Sequence, residues 1–221
     1  MSIISIDEDI VHVPQWVSDH DSFRRWADAD DFPEEGRVFF LRGEVWVDMS
    51  KEQAFSHNQL KTEYCYGLVG ITKQQRDGRF FSDGIMLTHV AVGFLLNPDG
   101  VYVSNESFET RRVRLVEGAR EGYVELEGAA DMVLEVVSDS SVRKDNEILL
   151  EDYYRAGVGE CWLVDARGNR LAFAIFRRGP EAFETADDED GWLHSEVLSK
   201  SFRLARSVDQ VGNPDFTLEI K

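Results

Sequence analysis

Residues 128–167 read GAADMVLEVVSDSSVRKDNEILLEDYYRAGVGECWLVDAR, and this stretch decides the fold. Met132, Val133, Leu134, Val136 and Val137 make an apolar run of strand length, the pattern of a strand buried on both faces. One carboxylate, Glu135, interrupts it. An ionised carboxylate in such a strand costs several kcal/mol unless it is paired, metal-bound or protonated. A polar turn at 138–141 follows, then a helical pattern with Ile148, Leu149, Leu150, Tyr153 and Tyr154, ended by Gly157. Cys161 to Val164 reads as a second strand. The β, α, β order predicts parallel strands joined by a crossover, and such sheets collect ligands at the carboxyl ends of their strands, where Glu135 stands.

Outward from this core, Trp16 to Ala27 predicts a short amphipathic helix with Asp21 or Ser22 as N-cap, and Arg37 to Asp48 a hairpin turning at Arg42-Gly43. A long helix runs from Ser56, a candidate N-cap, through Leu60, Tyr64, Leu68 and Ile71 to Arg76-Asp77-Gly78. Arg79 to Val92 reads as extended, and Leu95 to Ser104 as a strand region holding Pro98-Asp99. Glu109 to Glu127 reads as a hairpin between central strands. Near the C-terminus, Arg170 to Phe176 and Trp192 to Leu198 read as a hairpin joined by GPEAFETADDEDG. Its acids Asp187 to Asp190 lack the spacing of a calcium loop and read as a solvated tip. The final FTLEIK is an edge strand or a tail.

At 221 residues and 43% hydrophobic content the chain has enough apolar material for one α/β domain with additions, the first expectation, or for two small domains, the second. No apolar run approaches the roughly 18 residues of a membrane span. MSIISIDEDIVHVP lacks the basic start and long apolar centre of a secretory signal, so the cytoplasm is expected. Cys65 and Cys161 form no CxxC and read as structural thiols. The balance of 24 basic against 42 acidic residues gives a net charge of −18, which repels DNA. A nuclease with this charge requires a local basic groove, a divalent metal at an acidic site, or a cationic partner. Arg111, Arg112 and Arg114, and Arg177 with Arg178, are the candidate clusters; solvated strand ends are the plainer reading of both.

Two acids are placed on neighbouring strands, Asp99 after Pro98 and Glu135. Together they suit one Mg²⁺ (or Mn²⁺), which takes hard oxygen ligands from one or two carboxylates, and the Val136 carbonyl offers a further oxygen. The competing reading makes Asp99 a turn residue and pairs Glu135 with a buried Arg.

LRGEVWVDMS with SHNQL, then NPDGVYVS, then ADMVLEVVS with the later RAGV and WLVD, resemble the Uma-two family of restriction-endonuclease-like nucleases, over residues 37 to about 205. The resemblance implies an α/β restriction-endonuclease-like fold, a mixed central sheet flanked by helices with added hairpins. It frames an N-terminal helix and arm at 1–36, the nuclease-like domain at 37–205, and a C-terminal tail or edge strand at 206–221. It also implies the PD-(D/E)xK arrangement, in which Asp99 takes the Asp role and Glu135 the Glu role in binding Mg²⁺. Glu44 is implied as an extra acid near the metal; the alternative is an exposed hairpin Glu. The superfamily lysine two residues after the Glu is Val137 here. The position four residues after Asp145, where relatives carry it, is Leu149. Lys144 is the nearest lysine in sequence to Glu135 and serves only if it lies in a loop and reaches back. His57, a frequent His of the family, reads as a helix-start structural residue. The implied function is Mg²⁺-dependent DNA endonuclease, weakened by Leu149; the alternative is an inactive nuclease-fold binding or scaffolding protein. A homodimer is left open.

Overall fold

The computed structural model describes residues 2–6, 9–33, 36–138 and 148–221. In chain order its strands are β1 (Ser2–Ile6), β2 (Asp9–Val13), β3 (Arg37–Leu41), β4 (Glu44–Asp48), β5 (Gly78–Ser82), β6 (Met86–His89), β7 (Phe94–Leu96), β8 (Gly100–Ser104) and β9 (Val113–Glu117). They continue with β10 (Tyr123–Gly128), β11 (Met132–Val136), β12 (Glu160–Asp165), β13 (Ala172–Arg178), β14 (Phe183–Thr185), β15 (Asp188–Glu189), β16 (Trp192–Ser195), β17 (Lys200–Val208) and β18 (Pro214–Ile220). The helices are α1 (His20–Ala27), α2 (Leu60–Gln75), α3 (Asn105–Glu109) and α4 (Leu149–Ala156).

The chain divides into two interleaved units, the first from residues 1–51, 84–97 and 114–128, the second from 52–83, 98–113 and 129–221. In the first, a sheet of order β4-β3-β7-β6-β10-β9 is mixed, with β10 parallel to β6. The β3–β4 hairpin turns at Arg42 and Gly43, both at positive φ as a tight two-residue turn demands. Phe23 and Trp26 of α1 pack with Val38, Phe40 and Leu95. Asp19, not Asp21 or Ser22, caps α1, and Ser22 completes the reciprocal capping box.

The second unit holds a sheet of order β14-β13-β12-β11-β8-β5. β11 and β12 are parallel and central; every residue of both is buried. α4 ends at Gly157, whose φ of 85° suits a residue without Cβ. Leu60, Tyr64, Leu68 and Ile71, one face of α2, share a core with Met132, Leu134, Val136, Trp162 and Val164. Phe202, Leu204, Phe216 and Leu218 of the sheet β15-β16-β17-β18 join that core. FTLEIK thus lies within the edge strand β18.

Two pairings differ from the sequence reading. Leu95 to Ser104 is not one strand region: Pro98, which has no N–H for a ladder, separates β7 of one sheet from β8 of another. β13 and β16 do not pair either. β13 bonds to β12 and β14, while β16 bonds to β15 and β17, so the intervening loop carries two short strands of its own.

Candidate active site

In the second unit, β8 runs antiparallel to β11 with Val101 opposite Val133 and Gly100 opposite Leu134. One more step of that register brings Asp99 across from Glu135. The two acids meet at the end of β11, and Asp99 Oδ2 accepts a 2.8 Å hydrogen bond from the Val136 N–H. A strand residue's N–H and C=O point to the same side, so the Val136 carbonyl lies on the Asp99 edge as well. Both acids are buried, each 4% exposed. Gly100 is required beside them, since a Cβ there would stand 2.4 Å from the Phe80 ring. Tyr153 of α4 donates to Glu135 Oε1 at 2.5 Å, which fixes that carboxylate's orientation.

The first turn of the α2 helix supplies groups that sequence reading did not assign. Residues Ala54–Gln59 form a π-helical turn whose N-cap is Gln53, not Ser56. His57 is buried in it, its Nδ1 2.8 Å from Glu52 Oε1. With Nδ1–H donating to Glu52, Nε2 is the acceptor nitrogen. That Nε2 has no hydrogen-bond partner among the described residues and stands 3.8 Å from Asp99 Oδ2. Lys61, one helical turn on, places Nζ 3.6 Å from Asp99 Oδ1 and 2.6 Å from Asp83 Oδ2, and also pairs with Glu52.

Burial by itself lowers the Lys61 pKa, but Asp99, Asp83 and Glu52 together hold it above the ordinary lysine value. The ammonium is therefore a permanent cation at neutral pH and takes no proton from water. Glu52 shows the mirror effect: burial pushes it up, yet hydrogen bonds from Lys61, Asn58 and His57 bring it to about 2. The signal for Lys61 was the i, i+4 spacing from His57, which puts both on one helix face.

Other expected residues fall elsewhere. Glu44 opens β4 of the first unit, exposed, opposite Leu41. Lys144 lies outside the described residues. Leu149 is the first residue of α4 and is 1% exposed. Four of the five clustered arginines, all but the exposed Arg111, are engaged: Arg112 with Asp131 and Ser107, Arg114 with Glu127, Arg177 with Glu196, and Arg178 with the Tyr154 and Val158 carbonyls.

Among the described residues no three His, Cys, Asp or Glu side chains form a ready cage for a metal. Mg²⁺ does not require one, since it keeps several waters and takes one or two carboxylates plus substrate oxygens. The hard-oxygen set of Asp99, Glu135 and the Val136 carbonyl fits that demand, and the buried His57 Nε2, with no hydrogen-bond partner among the described residues, stands 3.8 Å from Asp99 at the same spot.

No curated protein matches the chain. Among solved structures it resembles the crystal structure of "a putative nuclease belonging to DUF820" from Anabaena variabilis, with 18% identity, 82% of this chain and 90% of that chain covered, and a TM-score of 0.55. That likeness carries the fold, a mixed α/β architecture of restriction-endonuclease-like type. No described helix is long and apolar enough to cross a membrane. The family profile described as "Putative restriction endonuclease" matches residues 20–207, most of the sequence, and the chain belongs to that family, Uma2.

Proposed function

We propose that this chain is a DNA endonuclease dependent on Mg²⁺ or Mn²⁺, slow in turnover, in which Lys61 stands in for the lysine replaced by Leu149. The observation that carries this reading is Asp99 across from Glu135 with Lys61 Nζ 3.6 Å from Asp99 Oδ1. Family membership supports a nuclease-like function at the coarser level. Asp99, Glu135 and the Val136 carbonyl are the groups to hold the ion. When bound, the ion supplies a Lewis acid that polarises the phosphodiester and lowers the pKa of water.

The chain's own residues supply the rest. His57 Nε2 takes the proton of the attacking water as its oxygen bonds to phosphorus, and Glu52 on Nδ1 stabilises the imidazolium that results. The phosphorus–oxygen bond to the leaving deoxyribose breaks, and that oxygen collects a proton from solvent. Lys61 offers fixed positive charge to the phosphate's non-bridging oxygens and holds Asp99 in place. Tyr153 keeps Glu135 aimed. Glu44 keeps the lesser role of an auxiliary acid, and Lys144 is the competing cation. Cytoplasmic location and an assembly open to homodimers belong to the same reading.

Buried Leu149 and the charge of −18 favour a second reading, a nuclease-fold binding protein without catalysis. Cleavage of plasmid and linear DNA in Mg²⁺ and Mn²⁺ separates the two. Expected are slow metal-dependent nicking, loss of at least about 100-fold in Asp99→Ala and Glu135→Gln, and a loss of similar order in Lys61→Met. Loss in Lys144→Ala with Lys61→Met unaffected would move the cation to Lys144. No cleavage of any DNA form in either metal would establish the binding-protein reading.

A further inference from the structure

Of the arginine clusters legible in the sequence, Arg112, Arg114, Arg177 and Arg178 are engaged by internal partners and Arg111 stands alone among the described residues, so neither cluster supplies a basic groove to offset the net charge of −18. We infer that the groove between the last turn of α2 and the edge strand β5 binds the sugar–phosphate backbone of a nucleic acid. The groove, about 500 Å³, is lined by Lys73 and Arg76 from the end of α2, Arg79, Phe80 and Phe81 from β5, and Thr72 between them. Among the described residues no carboxylate lines it; that of Asp77, next to Arg76, accepts from the Tyr102 hydroxyl instead. Lys73, Arg76 and Arg79 are exposed and have no ion-pair partner among the described residues.

Three unneutralised cations on one concave surface are unusual in a chain with nearly twice as many acids as bases. Cations near a helix C-terminus are favoured by its dipole, and this accounts for Lys73. It does not account for Arg79, which is on a strand. Nor does it explain Arg76 itself. That residue sits at φ 57°, the left-handed position following α2 where glycine is the usual choice, with its carbonyl held by the Asn105 side-chain amide at 2.9 Å. An arginine kept at a conformation that disfavours side chains directs charge to this spot at a conformational cost. The chain's acids act against the groove only within a Debye length, about 8 Å at physiological salt, so the local sign decides what binds.

The geometry ties the groove to the candidate active site, and the choice of nucleic acid over other polyanions rests on that site's proposed function. Lys61 and Lys73 are twelve residues apart on one helix, about 18 Å at 1.5 Å per residue. β5 returns along the same path, with Gly78 opposite Ser104 at the groove and Ser82 opposite Gly100 beside Asp99. A strand of duplex DNA places a phosphate about every 3.4 Å, so the groove meets the backbone roughly five phosphates from the scissile one. A polymer fits this span; a mononucleotide does not.

The test is binding, without cleavage, by fluorescence anisotropy of a labelled 16-base-pair duplex and its single strand in EDTA, across a salt series. The wild type is expected to bind with steep salt dependence. K73E/R76E/R79E is expected to weaken binding at least tenfold and to flatten the slope of log K against log salt by about 2–3, the share of three phosphate contacts. Because charge reversal at Arg76 can disturb the helix end, K73Q/R79Q is measured beside it and should lose about 1.5–2 of slope with an unchanged melt. Unchanged affinity and slope in both groove variants overturns the inference, as does failure of the wild type to bind either DNA form. Equal competition by a phosphorylated peptide would also overturn it, in favour of a protein ligand. Cleavage with unaltered binding in the groove variants leaves the nuclease reading standing and removes the groove. Slope lost in the groove variants of a protein that cuts nothing does the reverse.

Discussion

Two buried acids in the second unit, Glu160 at the start of β12 and Asp99 before β8, are alike in exposure and opposite in company. Glu160 accepts from the Trp162 indole at 3.0 Å, the Ser195 hydroxyl at 2.7 Å, and the N–H groups of Glu196 and Val197 at 2.7 and 3.2 Å. All four donors are neutral, and they tie the β16 end to β12; this is a buried charge spent on architecture. Asp99 is surrounded by groups that carry or exchange protons, Lys61 at 3.6 Å and His57 at 3.8 Å, beside a second carboxylate. Burial alone does not mark a functional acid. The ionisable character of its neighbours does.

The contrast breaks most visibly at Glu160. Glu160→Ala leaves four donors without their acceptor and is expected to cost about 3 kcal/mol, a fall of roughly 6–12 °C in Tm, with DNA cleavage per folded molecule unchanged. A comparable fall in Asp99→Ala with cleavage intact would reverse the two assignments.

A smaller effect sharpens the other side. Millimolar Mg²⁺ or Mn²⁺ is expected to stabilise the wild type by on the order of 1–3 kcal/mol in thermal melts, by mass action on the folded state. Glu135→Ala should abolish that gain. A wild-type melt indifferent to either ion would remove the metal from the Asp99–Glu135 site.

The smallest effect concerns a third acid. The Arg167 guanidinium hydrogen-bonded to Asp165, helped by Arg170 and the Arg167 N–H, outweighs burial and holds its carboxyl at about 2. A depressed carboxylate contributes stability that is complete above its ordinary value of 3.8 and is lost as pH falls toward 2. With solvent screening the contribution is under about 1 kcal/mol. Acid titration of R167A/R170A should show a correspondingly shallower loss between pH 4 and 2. An identical titration would mean that those arginines do not set the Asp165 proton.

The sequence carried the central β11-α4-β12 unit because periodicity, Gly157 and an apolar run with one acid all agree there. The Arg42-Gly43 hairpin was legible for the same reason, local chemistry sufficient to specify the turn. What failed was non-local. That β7 and β8 part at Pro98, and that β13 and β16 go to different sheets, depends on which strands lie beside them, which no short window contains. The Asp99–Glu135 opposition was expected from the resemblance, and the β8–β11 register, ending at Gly100 opposite Leu134, stops one step short of it with Asp99 bonded to the Val136 N–H. His57 reads from sequence as a helix-start structural residue, and Lys61 is passed over because a lysine search guided by sequence distance from Glu135 stops at Lys144, whereas a helix folded back over the sheet delivers Lys61 from 74 positions away.

The π-helical turn at Ala54–Gln59 bears on how such a site changes over time. A π turn closes its hydrogen bond over one more residue than an α turn, so it is the shape a helix takes when a single residue is added to it. The apolar face of α2 that begins at Leu60 keeps its packing, because the extra residue is absorbed upstream. Gain or loss of one codon between His57 and Leu60 would therefore swing His57 by about 100° around the helix axis while leaving Lys61 and the core where they are. The proton acceptor and the fixed cation of the proposed site can thus be revised independently, one by insertion and the other by substitution.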